Sequence, residues 1–183
     1  MISRILFLLL VFSGSSLFAQ VSDTEMENMK TKWRAGLTVK ATNLAEKATF
    51  MEGMSEFGDS IQRLFLRDTF IVENLYLRQL DADATTLGMN KAALACASEY
   101  ELLVDKYYTV LLDKMNPEDR EAMISWQANW KALMEKERVL NGKLMQEEYS
   151  GGGSIHSLTY TSRLMNAQKA HVLTIIDYLT HLI

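Results

Sequence analysis

The chain has 183 residues, 48% of them hydrophobic and 23% charged, with a formal net charge of −4. Its 19 Lys and Arg are interleaved with 23 Asp and Glu rather than gathered into a basic patch or stripe, which argues against a nucleic-acid surface. A single cysteine excludes an internal disulfide framework, so stability has to come from the core.

The first nineteen residues read as a leader. Arg4 gives a basic start, Ile5 to Phe12 an apolar stretch, and Ser13-Gly14-Ser15-Ser16 a break before Leu17-Phe18-Ala19, with cleavage expected after Ala19. The apolar run is well short of the roughly 20 residues that span a membrane, and no later segment reaches that length without charges. Export to the periplasm or the extracellular space is the expectation, an uncleaved anchor the alternative. No cysteine follows the cut directly, so the lipid anchor of a bacterial lipoprotein is not available. Cleavage removes one Arg and no acid, leaving a slightly more acidic chain that suits a basic protein partner and serves solubility equally well. Residues 20–183 fit a single domain, large enough to bury roughly two-thirds of its unfolded surface.

One proline and few alternating apolar runs predict an all-α fold, an antiparallel bundle of about five helices. The first helix starts near Ser22, where Ser22 and Glu25 have capping-box spacing, and extends towards Met51. Gly53 and Gly58 punctuate the chain before a second helix over about 59–80, with Ile61, Leu64, Ile71 and Leu75 on one side. Asp81 to Thr86 reads as a turn.

In the third helix, about 87–114, Ala93, Cys96, Tyr100, Leu103, Tyr107 and Val110 alternate by three and four and form one seam. Cys96 has apolar neighbours and reads as a small buried hydrophobe, with a reactive or intermolecularly linked thiol as the alternative. Asn116-Pro117-Glu118-Asp119 opens the fourth helix, with Asn at the N-cap, Pro at the first position and two acids beside the positive end of the dipole. That helix runs to about Tyr149, on the order of 50 Å at 1.5 Å per residue. Met123, Trp126, Trp130, Leu133, Glu137, Leu140 and Leu144 share its seam. The glycines at 151–153 end it and Ser154 is placed to cap the last helix. There Ile155, Leu158, Ser162, Met165, Lys169, Val172, Ile176 and Leu179 repeat the spacing.

Two seam positions are charged, Glu137 and Lys169. Antiparallel packing across the glycine hinge predicts a partly buried pair between them that sets register, since desolvation cancels most of a buried pair's Coulomb gain; the alternative is that both side chains snorkel to the rim.

Catalytic chemistry is hard to find. His156, His171 and His181 form no zinc-helix motif, a lone Cys makes no zinc ribbon, and neither a GxSxG elbow nor a phosphate loop is present. Gly151-Gly152-Gly153-Ser154 reads as a hinge with a capping serine, or as a helix-start niche for an anion. Glu135, Glu137, Glu147 and Glu148 have the distribution of solvated helix faces. The expectation is a protein that is not an enzyme and carries no cofactor or metal.

Cys96, Tyr100, Asp105, Tyr108, the Asn116-Pro117-Glu118-Asp119-Arg120 turn, Gln127-Ala128-Asn129-Trp130, Glu137 and Gly152-Gly153-Ser154-Ile155 follow one another in an order that resembles the LprI-like lysozyme-inhibitor domain family. The resemblance covers residues 96–173, about half of the expected mature chain. It implies a small exported helical bacterial protein, some of whose relatives are associated with inhibition of host lysozyme. The chain departs from that pattern at Met134-Glu135, where the family commonly has Arg-Asp, and it lacks the cysteines that would pair with Cys96. Lys169 corresponds to a common Arg and loses the bidentate fork. The segment from about Ser22 to Leu80 lies outside the resemblance and reads as an extension that completes the bundle.

Two readings follow. In the first, an acidic exported bundle docks on a basic cell-wall hydrolase such as lysozyme and blocks its cleft, with Gln127, Trp130, Gly152, Gly153 and Ser154 as candidate contacts. In the second, the same fold is an envelope structural or small-ligand-binding protein with no hydrolase partner. An exposed acidic ridge or loop favours the first, a concave apolar pocket between helices the second.

Overall fold

The computed structural model describes residues 21–50 and 53–181; the expected leader and the expected helix end at Met51 lie outside the described residues. Among the described residues there are six helices and no strand: α1 (Asp23–Lys47), α2 (Glu56–Ala82), α3 (Thr86–Lys114), α4 (Pro117–Leu144), the single turn α5 (Glu147–Ser150) and α6 (Ser154–His181). The fold is an all-α helical bundle.

The helix starts are built by side chains that satisfy otherwise orphaned amides. Ser22 Oγ accepts from the Glu25 N–H at 3.3 Å, Ser55 Oγ from Gly58 at 3.1 Å and Thr85 Oγ1 from Gly88 at 3.0 Å. Gly58 therefore lies inside the first turn of α2 and does not break the chain as the sequence suggests. Gly88 is confined: a Cβ there would stand 2.2 Å from Asp83 Cγ and 2.5 Å from the Asp83 carbonyl oxygen. Asp83 itself is buried and binds the Thr85 hydroxyl at 2.6 Å, the main reason its carboxyl sits below its ordinary range. Asn116 holds the N-cap backbone of α4 with Pro117 next to it, but its side chain makes no capping bond.

Long helices that follow one another run in opposite directions. Arg63 of α2 reaches the Ala45 carbonyl at the end of α1, Tyr107 of α3 donates to Asp68 of α2 at 2.9 Å, and Lys131 of α4 meets Asp105 of α3 at 3.1 Å. α3 and α6 run parallel, tied at one end by Asn90 to Ser157 and Thr161. They form the most closely packed pair, followed by α1 on α2. The core joins Cys96, Tyr100, Val104, Tyr107 and Leu111 of α3 to Val172, Ile175, Ile176 and Leu179 of α6, with Ile61 and Val72 from α2. This matches the predicted α3 seam through Tyr107; the last layer is Leu111, while Val110 is only partly buried. α1 adds Leu37, Ala41 and Ala45 to its face against α2, and its Arg34 and Asp23 pair with Glu99 and Lys91 of α3, so the segment outside the resemblance is packed into the bundle.

α4 is different. Its backbone stays away from the other helices, and Met123, Trp126 and Trp130 bridge the gap to the core. The predicted stripe holds only in its first half: Gln127 and Asn141 are buried, whereas Leu133 and Leu140 are 55% and 51% exposed and Leu144 is exposed too. A strict three-four alternation repeats every 3.5 residues, and a straight helix drifts away from it by about 20° per heptad. α4 has no close partner to supercoil with, so its inward face moves on to Met134 and Asn141. It also ends at Leu144 rather than Tyr149, where Met145 caps it and α5 intervenes.

Candidate functional site

Trp126 and Trp130 are one turn apart on the inward face of α4. The His171 ring of α6 is stacked between them, 3.7 Å from the Trp130 centroid at an interplanar angle of 3° and 4.6 Å from Trp126 at 23°. His171 Nε2 lies 2.7 Å from Gln127 Oε1, an acceptor that places a ring proton on Nε2. Burial holds its pKa down at about 4. Gln127 is only 4% exposed and its Nε2 finds no partner among the described residues; the same is true of Oε1 of the buried Gln168, one turn before His171.

A second polar group lies on the other side of α6. Lys169 pairs with Glu73 of α2, and the Tyr100 hydroxyl donates to the same carboxylate. Burial pulls the Glu73 carboxyl up, but hydrogen bonds from Lys169 and Tyr100 and the lysine's charge outweigh it and leave the group below its ordinary range. Desolvation, then the bond to Glu73, drives Tyr100 far above the usual phenol range. Cys96, beside this cluster, is buried and its thiol is pushed up to about 12, first by desolvation and then by Glu73, which makes it an inert packing residue.

The expected pairing of Glu137 with Lys169 does not form. Glu137 is exposed and accepts from Asn141 Nδ2 at 3.2 Å, and it faces Tyr160 and Arg163 across the groove to α6. Level pairing of the two residues requires the hairpin to pivot at Gly152. The early end of α4 and the extra turn of α5 move the pivot towards α4 and slide the register, while Lys169 faces α2.

The five predicted contact residues fall into two groups. Gln127 and Trp130 are internal and fasten α4 to α6. Gly152, Gly153 and Ser154 are exposed at the far tip of the α4–α5–α6 hairpin, where Gly151 and Gly152 adopt φ of 64° and 75° that L side chains disfavour. Ser154 is the first residue of α6 and not its cap. The Gly151 N–H bonds the Glu147 carbonyl and the Gly152 N–H bonds Ser150 Oγ at 3.2 Å, so these amides are spent internally and Glu147 and Glu148 stand beside them. What the tip does present is Tyr149 at 65% and Ile155 at 62% exposure, next to those carboxylates.

At the opposite end of α4 lies an apolar cavity of about 440 Å³ lined by Leu111, Met115, Met123, Trp126, Tyr178 and His181. No group of three or more His, Cys, Asp or Glu among the described residues is placed to hold a metal ion. No described helix is long and apolar enough to cross a membrane.

In the sequence His171 is only one of three histidines outside any zinc motif, and neither Glu73 nor Gln168 stands out. The signal for His171 is a glutamine between two tryptophans on an inward helix face, which needs a polar partner from elsewhere. Nothing local marks Glu73, whose role arises from the α2–α6 packing. No family model, curated protein or solved structure matches this chain.

Proposed function

We propose that this is an exported, non-enzymatic binding protein of the LprI-like kind, which docks on a basic cell-wall hydrolase such as lysozyme and blocks its cleft. The observation that carries the reading is the hairpin tip, where an exposed tyrosine and isoleucine flank a glycine turn with two solvated carboxylates. A rigid aromatic anchor ringed by charges opposite to those of the partner is the common makeup of a binding hot spot. Gly152, Gly153 and Ser154 shape this tip, and Gln127 and Trp130 act behind it by holding the two limbs of the hairpin together.

Titrating the purified protein into lysozymes of several types, with binding heat and cell-wall lysis both recorded, tests the proposal. Saturable binding with loss of lysis, weakened in Tyr149→Ala without a change in melting temperature, is the expected result. Binding to none of them would overturn it. The second reading, an envelope structural or small-ligand-binding protein, draws on the apolar cavity at the Met115 end, whose size lies within the range of small-molecule sites.

A further inference from the structure

The apolar cavity of about 440 Å³ at the Met115 end opens where α4 stands off from the bundle. α3 ends there at its capping residue Met115, α4 brings Ala122, Met123 and Trp126 on one face, and the last turn of α6 supplies Tyr178 and His181. Its volume falls within the range of small-molecule sites, and its lining selects among them. No Asp, Glu, Lys or Arg among the described residues lines it. The two cations that flank Met115 in sequence are engaged elsewhere: Lys114 Nζ lies 4.4 Å from the centroid of the Phe57 ring, and Arg120 Nε donates to the Met115 carbonyl at 3.2 Å. His181 has its Nδ1 2.6 Å from the Asp177 carbonyl. A charged ligand would give up its hydration here with no partner to replace it.

Two aromatic rings and two thioethers favour a flat ring over an alkyl chain. Trp126 and Tyr178 stand with centroids 5.8 Å apart and planes inclined at 63°, a corner in which a third ring can stack on one and meet the other edge-on. Met115 and Met123 have the flexibility to close on such a ring, and a thioether gains from an aromatic edge beyond its area. We infer that this cavity binds a neutral aromatic molecule of about two or three rings. The inference rests on the small-ligand reading of the cavity and draws nothing from the hairpin tip.

Titration of the intact protein at pH 7 into a low, fixed concentration of N-phenyl-1-naphthylamine, a neutral dye that brightens in apolar surroundings, tests it. One-to-one saturation with Kd on the order of 50 μM is expected for a ligand of this size. Ala122→Arg places a guanidinium at an exposed position of the wall without touching the core, and should weaken the dye by about tenfold or more. Ser125→Arg, exposed on α4 and outside the cavity, should leave binding unchanged. In displacement of the dye, 2-naphthalenemethanol should surpass 2-naphthoate and 2-naphthylmethylammonium by about tenfold. It should also surpass its saturated counterpart, decahydro-2-naphthalenemethanol, by about threefold to tenfold once each affinity is referred to the compound's partition into octanol. Ala122→Arg binding the dye as tightly as the parent, equal losses in the two arginine variants, or ions displacing it as well as the neutral alcohol would each overturn the inference. Equal strength of the saturated and aromatic alcohols on the partition scale would also overturn it, while leaving the small-ligand reading in place; binding of none of these compounds would end both.

Discussion

α3 and α4 are neighbours in sequence and similar in length, yet they are held in different ways. α3 is gripped by α6 and α2 along most of its length, through close-packed aliphatic and tyrosine side chains. α4 has two buried residues, both polar, and reaches the bundle through two tryptophans on a histidine. The lesson is that a long amphipathic helix need not spend its whole apolar face on the core. What α4 leaves exposed, Leu133, Leu140 and Leu144, continues towards the tip with Tyr149 and Ile155, where the proposed partner docks.

The contrast can be broken most severely from the α3 side. Tyr107 is fully buried, packs edge-on to Phe65 and donates to Asp68, so Tyr107→Ala should cost about 3–5 kcal/mol in urea denaturation. A loss under 1 kcal/mol would mean that α3 is not the central element.

The α4 side is sharpened by pH. His171 has a folded pKa depressed to about 4 from 6.5 by burial, so the unfolded chain binds more protons between those values. Its contribution is present in full above about pH 6.5 and is lost as pH falls towards about 4. The loss reaches at most about 3 kcal/mol, less whatever the two indole faces return to an imidazolium. Glu73, whose folded pKa is lowered from 4.5, contributes stability above that value that disappears as pH falls further, so it overlaps the His171 window only at its acid end. Denaturation midpoints of the parent and of His171→Phe across pH 4–7 should show the slope in the parent and a much flatter line in the variant.

A smaller effect belongs to the turn that launches α3. Gly88→Ala forces a Cβ into Asp83 and should cost about 1–3 kcal/mol in thermal melts, without altering the tip or its binding. The smallest is Leu140→Ser. If Leu140 lies outside the core, as its exposure requires, stability should change by no more than about 0.5 kcal/mol, whereas a core position would lose several times that.

The same two helices show what the sequence could and could not convey. The Ser22 cap, the Asn116-Pro117 start and the α3 seam from Cys96 to Tyr107 depend on neighbours within a few residues, and local spacing exposes them. The second half of α4 is not legible locally because its phase depends on having no close partner to wind around, a tertiary fact. Counting along the chain pairs Glu137 with Lys169, but one extra turn at Glu147–Ser150 shifts the register and Glu73, nearly a hundred residues earlier in sequence, takes the lysine. At the site, the hinge glycines were legible because their backbone conformation is, while His171 needed a fold to bring it to Gln127.

Native-state hydrogen exchange followed residue by residue on the parent and on His171→Ala tests the difference between the helices most directly. If the tryptophan–histidine seam is what fastens α4, its amides should open with a lower free energy than those of α3 and α6 in the parent. They should lose most of their protection in the variant while the α3 and α6 cores keep theirs. Exchange of α3, α4 and α6 at one common global rate in both proteins would contradict that account.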